Sequence, residues 1–141
     1  MKRVFLSLPM SGRTDEEIRE QIKEMKFIVG KYYVENGNIN ETISFVNGLD
    51  VCGNMPIIPK HKIVTEPLRY LGRDIEELSY CDAVVFGTNW DEARGCLVEC
   101  YVAYKYGIPS YYIYGDTICH LDGSSKFIID DRGVLYDELQ F

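Results

Sequence analysis

Three short apolar runs, separated by stretches with helical spacing, constrain most strongly what this chain can fold into. The runs are Val4–Leu8, Ala83–Phe86 and Tyr111–Tyr114. Short apolar runs bounded by turn residues are typical of strands that are buried on both faces of a parallel sheet. Strands that alternate with helices need crossover connections. The chain is therefore predicted to be α/β, with a single doubly wound, mostly parallel sheet of flavodoxin-like or Rossmann-like type and helices on both faces.

The helices are predicted from apolar residues that recur every three or four positions. The first begins at Thr14, which can form a capping box with Glu17, and it stops near Asn36. The other predicted elements are helices over 65–80 and 95–106, a strand over 42–46, an extended piece within 51–58, and a hairpin around 130–133 before a short last helix.

Length and composition limit the class of protein. The 141 residues are expected to form one domain, 1–141, and the net charge of −7 without a basic stripe argues against a nucleic acid polymer as partner. The five cysteines are odd in number and match no secreted disulfide framework, and no histidines converge with them on a metal site. We expect buried free thiols, no metal and no cofactor. The first apolar run is too short for a signal peptide, and no stretch is long enough to span a membrane, so a cytoplasmic location is expected.

Ligands of doubly wound sheets bind where the strands end, near the switch in strand order. This rule selects the loops over 9–13 and 87–95. Each is followed by a helix N-terminus, where free N–H groups favour an anion, and each contains an arginine, Arg13 or Arg94. Together they predict a pocket for one phosphate, although ordinary helix capping also explains Thr14. Trp90 in the second loop is of a kind that stacks on a nucleobase, or it packs on the tail.

Glu99 is the most informative single residue. Its helical neighbours are small or apolar (Gly95, Cys96, Val102 and Ala103), so the acid is either desolvated or at the wall of a cleft. The alternative is an exposed glutamate that pairs with Lys105 or with a residue of the tail. Asp74 lies among charged residues, and a solvated helix face is the alternative there. Asp82 begins a strand and can simply cap the preceding turn.

With these residues assembled, the sequence resembles the nucleoside 2-deoxyribosyltransferase-like superfamily, in particular its DUF4406-type branch, and is similar to nucleoside 5′-monophosphate N-glycosidases. The order and spacing of several segments carry the resemblance. They are Val4–Gly12, Arg73-Asp74 with Cys81-Asp82, Asn89-Trp90, Ala93-Arg94-Gly95-Cys96 with Glu99, and Ala103 with Gly107-Ile108-Pro109.

The resemblance implies that Glu99 is the nucleophile at the anomeric carbon and that Asp74 contacts the base or assists its protonation. It implies a substrate site along the first loop, and Arg94 before Gly95 resembles members that bind a 5′-phosphate. The expected substrate-binding residues are Ser7, Pro9, Met10, Ser11, Gly12, Arg13, Trp90, Arg94 and Gly95.

The resulting hypothesis is hydrolytic release of the base from a nucleoside 5′-monophosphate. Transfer of the sugar to a second base uses the same residues, Asp91 keeps a nucleoside substrate open, and a binding protein without catalysis is a further alternative. Cleavage of NAD is another alternative, but no adenine-binding motif in the sequence supports it. The resemblance also implies a homodimer or higher homo-oligomer, for which the tyrosine-rich run Tyr111–Tyr114 is a candidate surface.

Overall fold

The structure is a computed structural model that describes residues 2–37, 42–53, 55 and 65–121, together with the backbone of two short strands in the C-terminal part. In chain order the elements are β1 (Lys2–Ser7), α1 (Asp15–Glu35), β2 (Ile43–Asn47), α2 (Gly48–Gly53), α3 (Glu66–Leu78), β3 (Ala83–Phe86), a 3₁₀ turn (Trp90–Glu92), α4 (Arg94–Lys105), β4 (Ser110–Tyr114), β5 (Thr117–Leu121), β6 (Phe127–Ile129) and β7 (Leu135–Asp137).

The main sheet has five strands in the order β2-β1-β3-β4-β5. The first four are parallel, and β5 pairs antiparallel with β4 at one edge. The chain goes from β1 to β2 on one side and returns to β3 on the other, so strand order reverses at β1. This is the flavodoxin-like arrangement, and it confirms the predicted α/β fold with a mostly parallel sheet.

Alternation along β1 divides the core into two apolar clusters, one on each face of the sheet. Val4 and Leu6 pack with the buried stripe of α1, whereas Phe5 packs with residues of α3 and α4. Successive strand side chains point to opposite faces, so Ser7 shares the face of Phe5 and looks toward α4. The four residues of β3 are all buried, as the apolar run predicted.

Local capping explains where the first and third helices begin. Thr14 accepts a hydrogen bond from the Glu17 amide at 3.2 Å, and Thr65 accepts one from the Leu68 amide at 3.4 Å. Both threonines have extended backbone and satisfy an amide that the helix itself cannot pair. The predicted starts of these two helices are thus confirmed. By contrast, α4 has Ala93 at this position and no side-chain cap.

One predicted element is wrong in part, and one strand of the sheet was not predicted. The extended piece predicted within 51–58 is wrong over 51–53, which lie in α2, and 56–58 fall outside the described residues. A side-chain contact starts this helix, because Asn47 Oδ1 accepts the Asp50 amide at 3.0 Å. The edge strand β5 was not predicted, since its residues are half-buried or exposed and lack an apolar run.

The C-terminal hairpin is confirmed, with β6 and β7 pairing antiparallel on either side of 130–133. The predicted short last helix falls outside the described residues. Within the part of the chain that the structure describes, no helix is long and apolar enough to cross a membrane.

Candidate active site

The candidate site lies where the adjacent strands β1 and β3 end. The Gly87 amide donates to the Ser7 carbonyl at 2.8 Å, which fixes the ends of the two strands side by side. The loops that follow, 8–14 and 87–93, leave this edge toward α1 and α4 respectively. The switch in strand order therefore brings together the two loops that the sequence selected.

Glu99 is buried on α4, with only 5% of its surface exposed. Oε2 of its carboxyl group accepts a hydrogen bond of 2.5 Å from the hydroxyl of Ser7, which is itself 2% exposed. Of the settings that the sequence left open for Glu99, the structure shows the desolvated one. The alternative pairing with Lys105 does not occur, because the Lys105 ammonium group lies over the rings of Tyr101 and Tyr104.

Asp74 reaches the same site from α3. It is half-buried, and no described residue donates a hydrogen bond to its buried Oδ1 atom. The backbone of Gly48 passes so close that a Cβ atom there would lie 3.1 Å from Asp74 Oδ2 and 3.0 Å from Met10 Cε. Asp74 is therefore not part of a solvated helix face, although its neighbour Arg73 is, in an ion pair with Glu76 of 2.5 Å.

The two carboxyl groups shift each other's ionisation. Burial raises the pKa of Glu99 to about 8, with the Ser7 hydrogen bond acting in the opposite direction and Asp74 adding to the rise. Burial also raises the pKa of Asp74 to about 6, and the interaction of Asp74 with Glu99 acts in the opposite direction. Because two neighbouring carboxylates that are both partly or fully desolvated cannot easily both be charged, the pair holds one proton near neutral pH.

The two arginines of the predicted phosphate pocket have different surroundings. Arg13 donates to the Pro9 carbonyl at 2.6 Å and to Gln21 Oε1 at 2.5 Å, so its guanidinium group fastens the first loop to α1. Arg94 is exposed at the start of α4, and the structure gives it no ion pair or side-chain hydrogen bond within the described residues. Only Arg94 is thus free to meet an anion.

The remaining expected binding residues divide into two groups. The first group lies along the two loops and contains the half-buried Pro9, Met10 and Gly95 and the exposed Ser11 and Gly12. Gly12 has a φ of +75° in the turn before α1. Trp90 lies apart from these, buried against Phe86 with ring centroids 5.0 Å apart. Its ring belongs to the core between the sheet and α4, which leaves little of its face for a base.

Three observations concern residues outside those expectations. Gly48, which follows β2, lies beside the carboxyl group of Asp74. The sequence could not indicate this contact, because a single glycine forms no recognisable pattern. Cys96, buried near Ser7, has a thiol pKa raised to about 12 by burial. Asp82 lies at the opposite end of the strands, where its carboxylate accepts a hydrogen bond of 2.8 Å from the Arg3 amide. It therefore links the starts of β1 and β3 and lies outside the candidate site.

The five cysteines are free, but only Cys96 and Cys100 are buried as predicted, whereas the other three are half-buried. Among the described residues, no three histidine, cysteine or acidic side chains are grouped so that they could hold a metal ion.

Comparison with known proteins supports the fold and goes no further. No protein-family model and no curated protein matches the chain. The structure is similar to the crystal structure of a conserved protein from Enterococcus faecalis V583, with 19% sequence identity and a TM-score of 0.50. The similarity covers 83% of this chain, which spans 65% of the length of that protein. At this identity the likeness shows a shared α/β architecture.

Proposed function

We propose that this protein hydrolyses the N-glycosidic bond of a nucleoside 5′-monophosphate, with Glu99 as nucleophile and Asp74 as proton donor to the base. The observation that carries the proposal is the cluster formed by the buried Ser7 and Glu99 with the half-buried Asp74 at the switch point of the sheet. Two carboxyl groups that share one proton supply both requirements of glycoside cleavage, an acid for the leaving group and a carboxylate for the sugar.

The order of the two pKa values places the shared proton mainly on Glu99, so the reacting form is the one in which this proton has passed to Asp74. In the first step, an electron pair of the resulting Glu99 carboxylate forms a bond to the anomeric carbon while the bond from that carbon to the base nitrogen breaks. The electrons of the broken bond go to the base, which takes the shared proton through Asp74. The transition state resembles an oxocarbenium ion, and a desolvated carboxylate stabilises that positive charge strongly.

In the second step, water attacks the anomeric carbon and the bond to Glu99 breaks, which restores its carboxylate. Asp74, now ionised, takes a proton from the attacking water, and the pair again holds one proton. The products are the free base and the sugar 5-phosphate. If a second base attacks in place of water, the same steps transfer the sugar, so the acceptor alone distinguishes hydrolase from transferase.

Contrasting helix starts support a 5′-phosphate at α4. The first turn of α1 contains Asp15, Glu16 and Glu17 and is capped by Thr14, which disfavours an anion there. The first turn of α4 has no acidic residue and no side-chain cap, and it begins at the exposed Arg94, which pairs with none of the residues that the structure describes. Free N–H groups, the helix dipole and one guanidinium group together favour a phosphate.

A base-release assay tests the proposal. The protein is incubated with ribo- and deoxyribonucleoside monophosphates, free nucleosides and NAD, and released base is separated and quantified. We expect release from a monophosphate, and we expect Glu99→Gln and Asp74→Asn each to lower kcat about a hundredfold or more.

Glu92→Gln is the matched control, since it removes an exposed carboxyl group from the turn before α4. Release that continues unchanged in Glu99→Gln would show that the mechanism is wrong. Tight binding of a monophosphate without release would favour a nucleotide-binding protein, and exchange with an added second base would favour a transferase.

Self-association and a cytoplasmic location are further parts of the proposal. Exposed aromatic side chains support the first, because tyrosines are enriched in interfaces between proteins. Tyr114, in the tyrosine-rich β4 strand, is 77% exposed, and Tyr106 is 81% exposed.

A further inference from the structure

Ser7 was expected to line the substrate site, but its surroundings point to a different task. The hydroxyl group is buried at the end of β1 and directed at Glu99. With 2% of the residue exposed, a bound nucleotide has almost no surface of Ser7 to contact. Its hydroxyl group instead donates the 2.5 Å hydrogen bond to Oε2 of Glu99.

The position of that hydroxyl is fixed by the sheet. Ser7 pairs with Phe86 in the register between β1 and β3, and its carbonyl accepts the Gly87 amide. Strand alternation directs the side chain to the α4 face, where Cys96 lies buried one helical turn before Glu99. The hydroxyl therefore acts as a fixed donor, held by a rigid strand and enclosed by α4.

We propose that Ser7 is a positioning residue that holds Oε2 of Glu99 and thereby leaves Oε1 as the oxygen that bonds to the anomeric carbon. The catalytic part of this inference rests on the proposed function. A carboxylate has two equivalent oxygens and rotates about its last side-chain bond, so a donor fixed on one oxygen orients the other. The same donor favours the charged form of Glu99, which is the form that attacks.

The test compares Ser7→Ala with Ser7→Thr. Alanine removes the donor, whereas threonine keeps a hydroxyl group and suits a strand. Ser110→Ala is the matched control, because Ser110 is also buried in a strand and its hydroxyl donates to the Ile108 carbonyl at 2.9 Å, away from Glu99. Thermal unfolding of each variant verifies that it is folded.

Two measurements are made on each protein. The first is the pKa of Glu99, measured by NMR on protein with ¹³C-labelled glutamate side chains. The Glu99 signal is assigned as the one that is missing in Glu99→Gln, and the measurement needs no substrate. We expect Ser7→Ala to raise the pKa of Glu99 by about one unit, and Ser7→Thr and Ser110→Ala to leave it near the value of the unmodified protein. The second is base release, for which we expect Ser7→Ala to lower kcat about tenfold to a hundredfold with KM nearly unchanged.

The outcomes separate this inference from the proposed function. An unchanged pKa of Glu99 in Ser7→Ala would overturn the inference whether or not the protein cleaves nucleotides. A raised KM with unchanged kcat would also overturn it, because Ser7 would then contact the substrate. If the pKa rises as expected but the unmodified protein releases no base, the hydrogen bond is upheld and the proposed function fails.

Discussion

At the scale of single residues, Glu99 experiences two opposing effects. Burial disfavours its charged form, whereas the Ser7 hydroxyl favours it, and burial is the larger effect. The nearby Asp74 adds to the rise, so that one of the two acids holds a proton at a pH where an exposed pair would hold none. This is how a protein keeps an acid and a carboxylate available together at neutral pH.

The pair predicts a bell-shaped dependence of kcat/KM on pH, with apparent pKa values of about 6 and about 8. Below the lower value both acids are protonated and no carboxylate is left to attack. Above the higher value both are ionised and no proton is left for the base. Rates of base release measured from pH 5 to 9 provide the test.

The substrate phosphate also titrates near pH 6, so it could cause the fall in rate on the acidic side of the profile. The acidic side is therefore measured a second time with the unphosphorylated nucleoside. A fall that persists belongs to the carboxyl pair. A rate that stays level across the whole range would contradict the shared proton.

At the scale of elements, α1 and α4 begin at the same edge of the sheet but differ as anion sites. The start of α1 is closed by Thr14 and by acidic residues, and Arg13 is engaged by Pro9 and Gln21. The start of α4 keeps its amides and Arg94 available. The sequence shows an arginine before each helix, but only side-chain contacts distinguish their tasks.

This contrast predicts different effects of removing the two arginines. We expect Arg94→Ala to raise KM for a nucleoside 5′-monophosphate about tenfold or more, because a charge-assisted hydrogen bond to phosphate is lost, and to leave the KM for the nucleoside unchanged. Arg94→Lys should recover part of the loss. Steady-state kinetics with both substrates measure the difference.

Arg13→Ala is the matched control for the loss of one positive charge. We expect it to lower the free energy of unfolding by about 1 kcal/mol, since it releases the first loop from α1, without changing the preference for phosphate. A larger KM effect for Arg13→Ala than for Arg94→Ala would place the phosphate at α1.

At the scale of the whole molecule, stability depends on close packing of α1 against the sheet near the ends of β1 and β3, where the candidate site lies. Gly87 follows β3, and a Cβ atom there would lie 2.7 Å from Gln21 Nε2 and 3.0 Å from Met25 Sδ. Gln21 in turn holds Arg13. Packing of the helix on the sheet and the shape of the first loop are thus coupled through one glycine.

We therefore expect Gly87→Ala to lower the free energy of unfolding by about 1–2 kcal/mol, because Gln21 and Met25 must move. Gly30→Ala is the control: Gly30 lies within α1 with no atom within 4 Å of a Cβ at that position, so alanine should stabilise by about 0.5–1 kcal/mol. Urea denaturation measures both. Equal stability of Gly87→Ala and the unmodified protein would contradict the close approach.

The sequence by itself determined the parallel strands, the main helices and the edge of the sheet at which the two loops meet. These features follow from short-range signals: apolar runs, three- and four-residue periodicity, and threonine caps. The small or apolar helical neighbours of Glu99 also singled it out, but they left open whether it is desolvated, lies at the wall of a cleft or is exposed. The weakly patterned β5 and the short α2 were not predicted, since one depends on pairing with β4 and the other on a side-chain contact from Asn47.

Only the tertiary structure decided which side chains meet. Ser7 and Glu99 are 92 positions apart in the sequence, and no local pattern links them. The approach of Asp74 to Gly48, the burial of Trp90 on Phe86 and the engagement of Arg13 are likewise contacts between separate elements. Periodicity states which face of an element is apolar, but the partner of a polar side chain is set by how the elements pack. For that reason the sequence identified the acid, and the fold supplied the hydroxyl group that orients it.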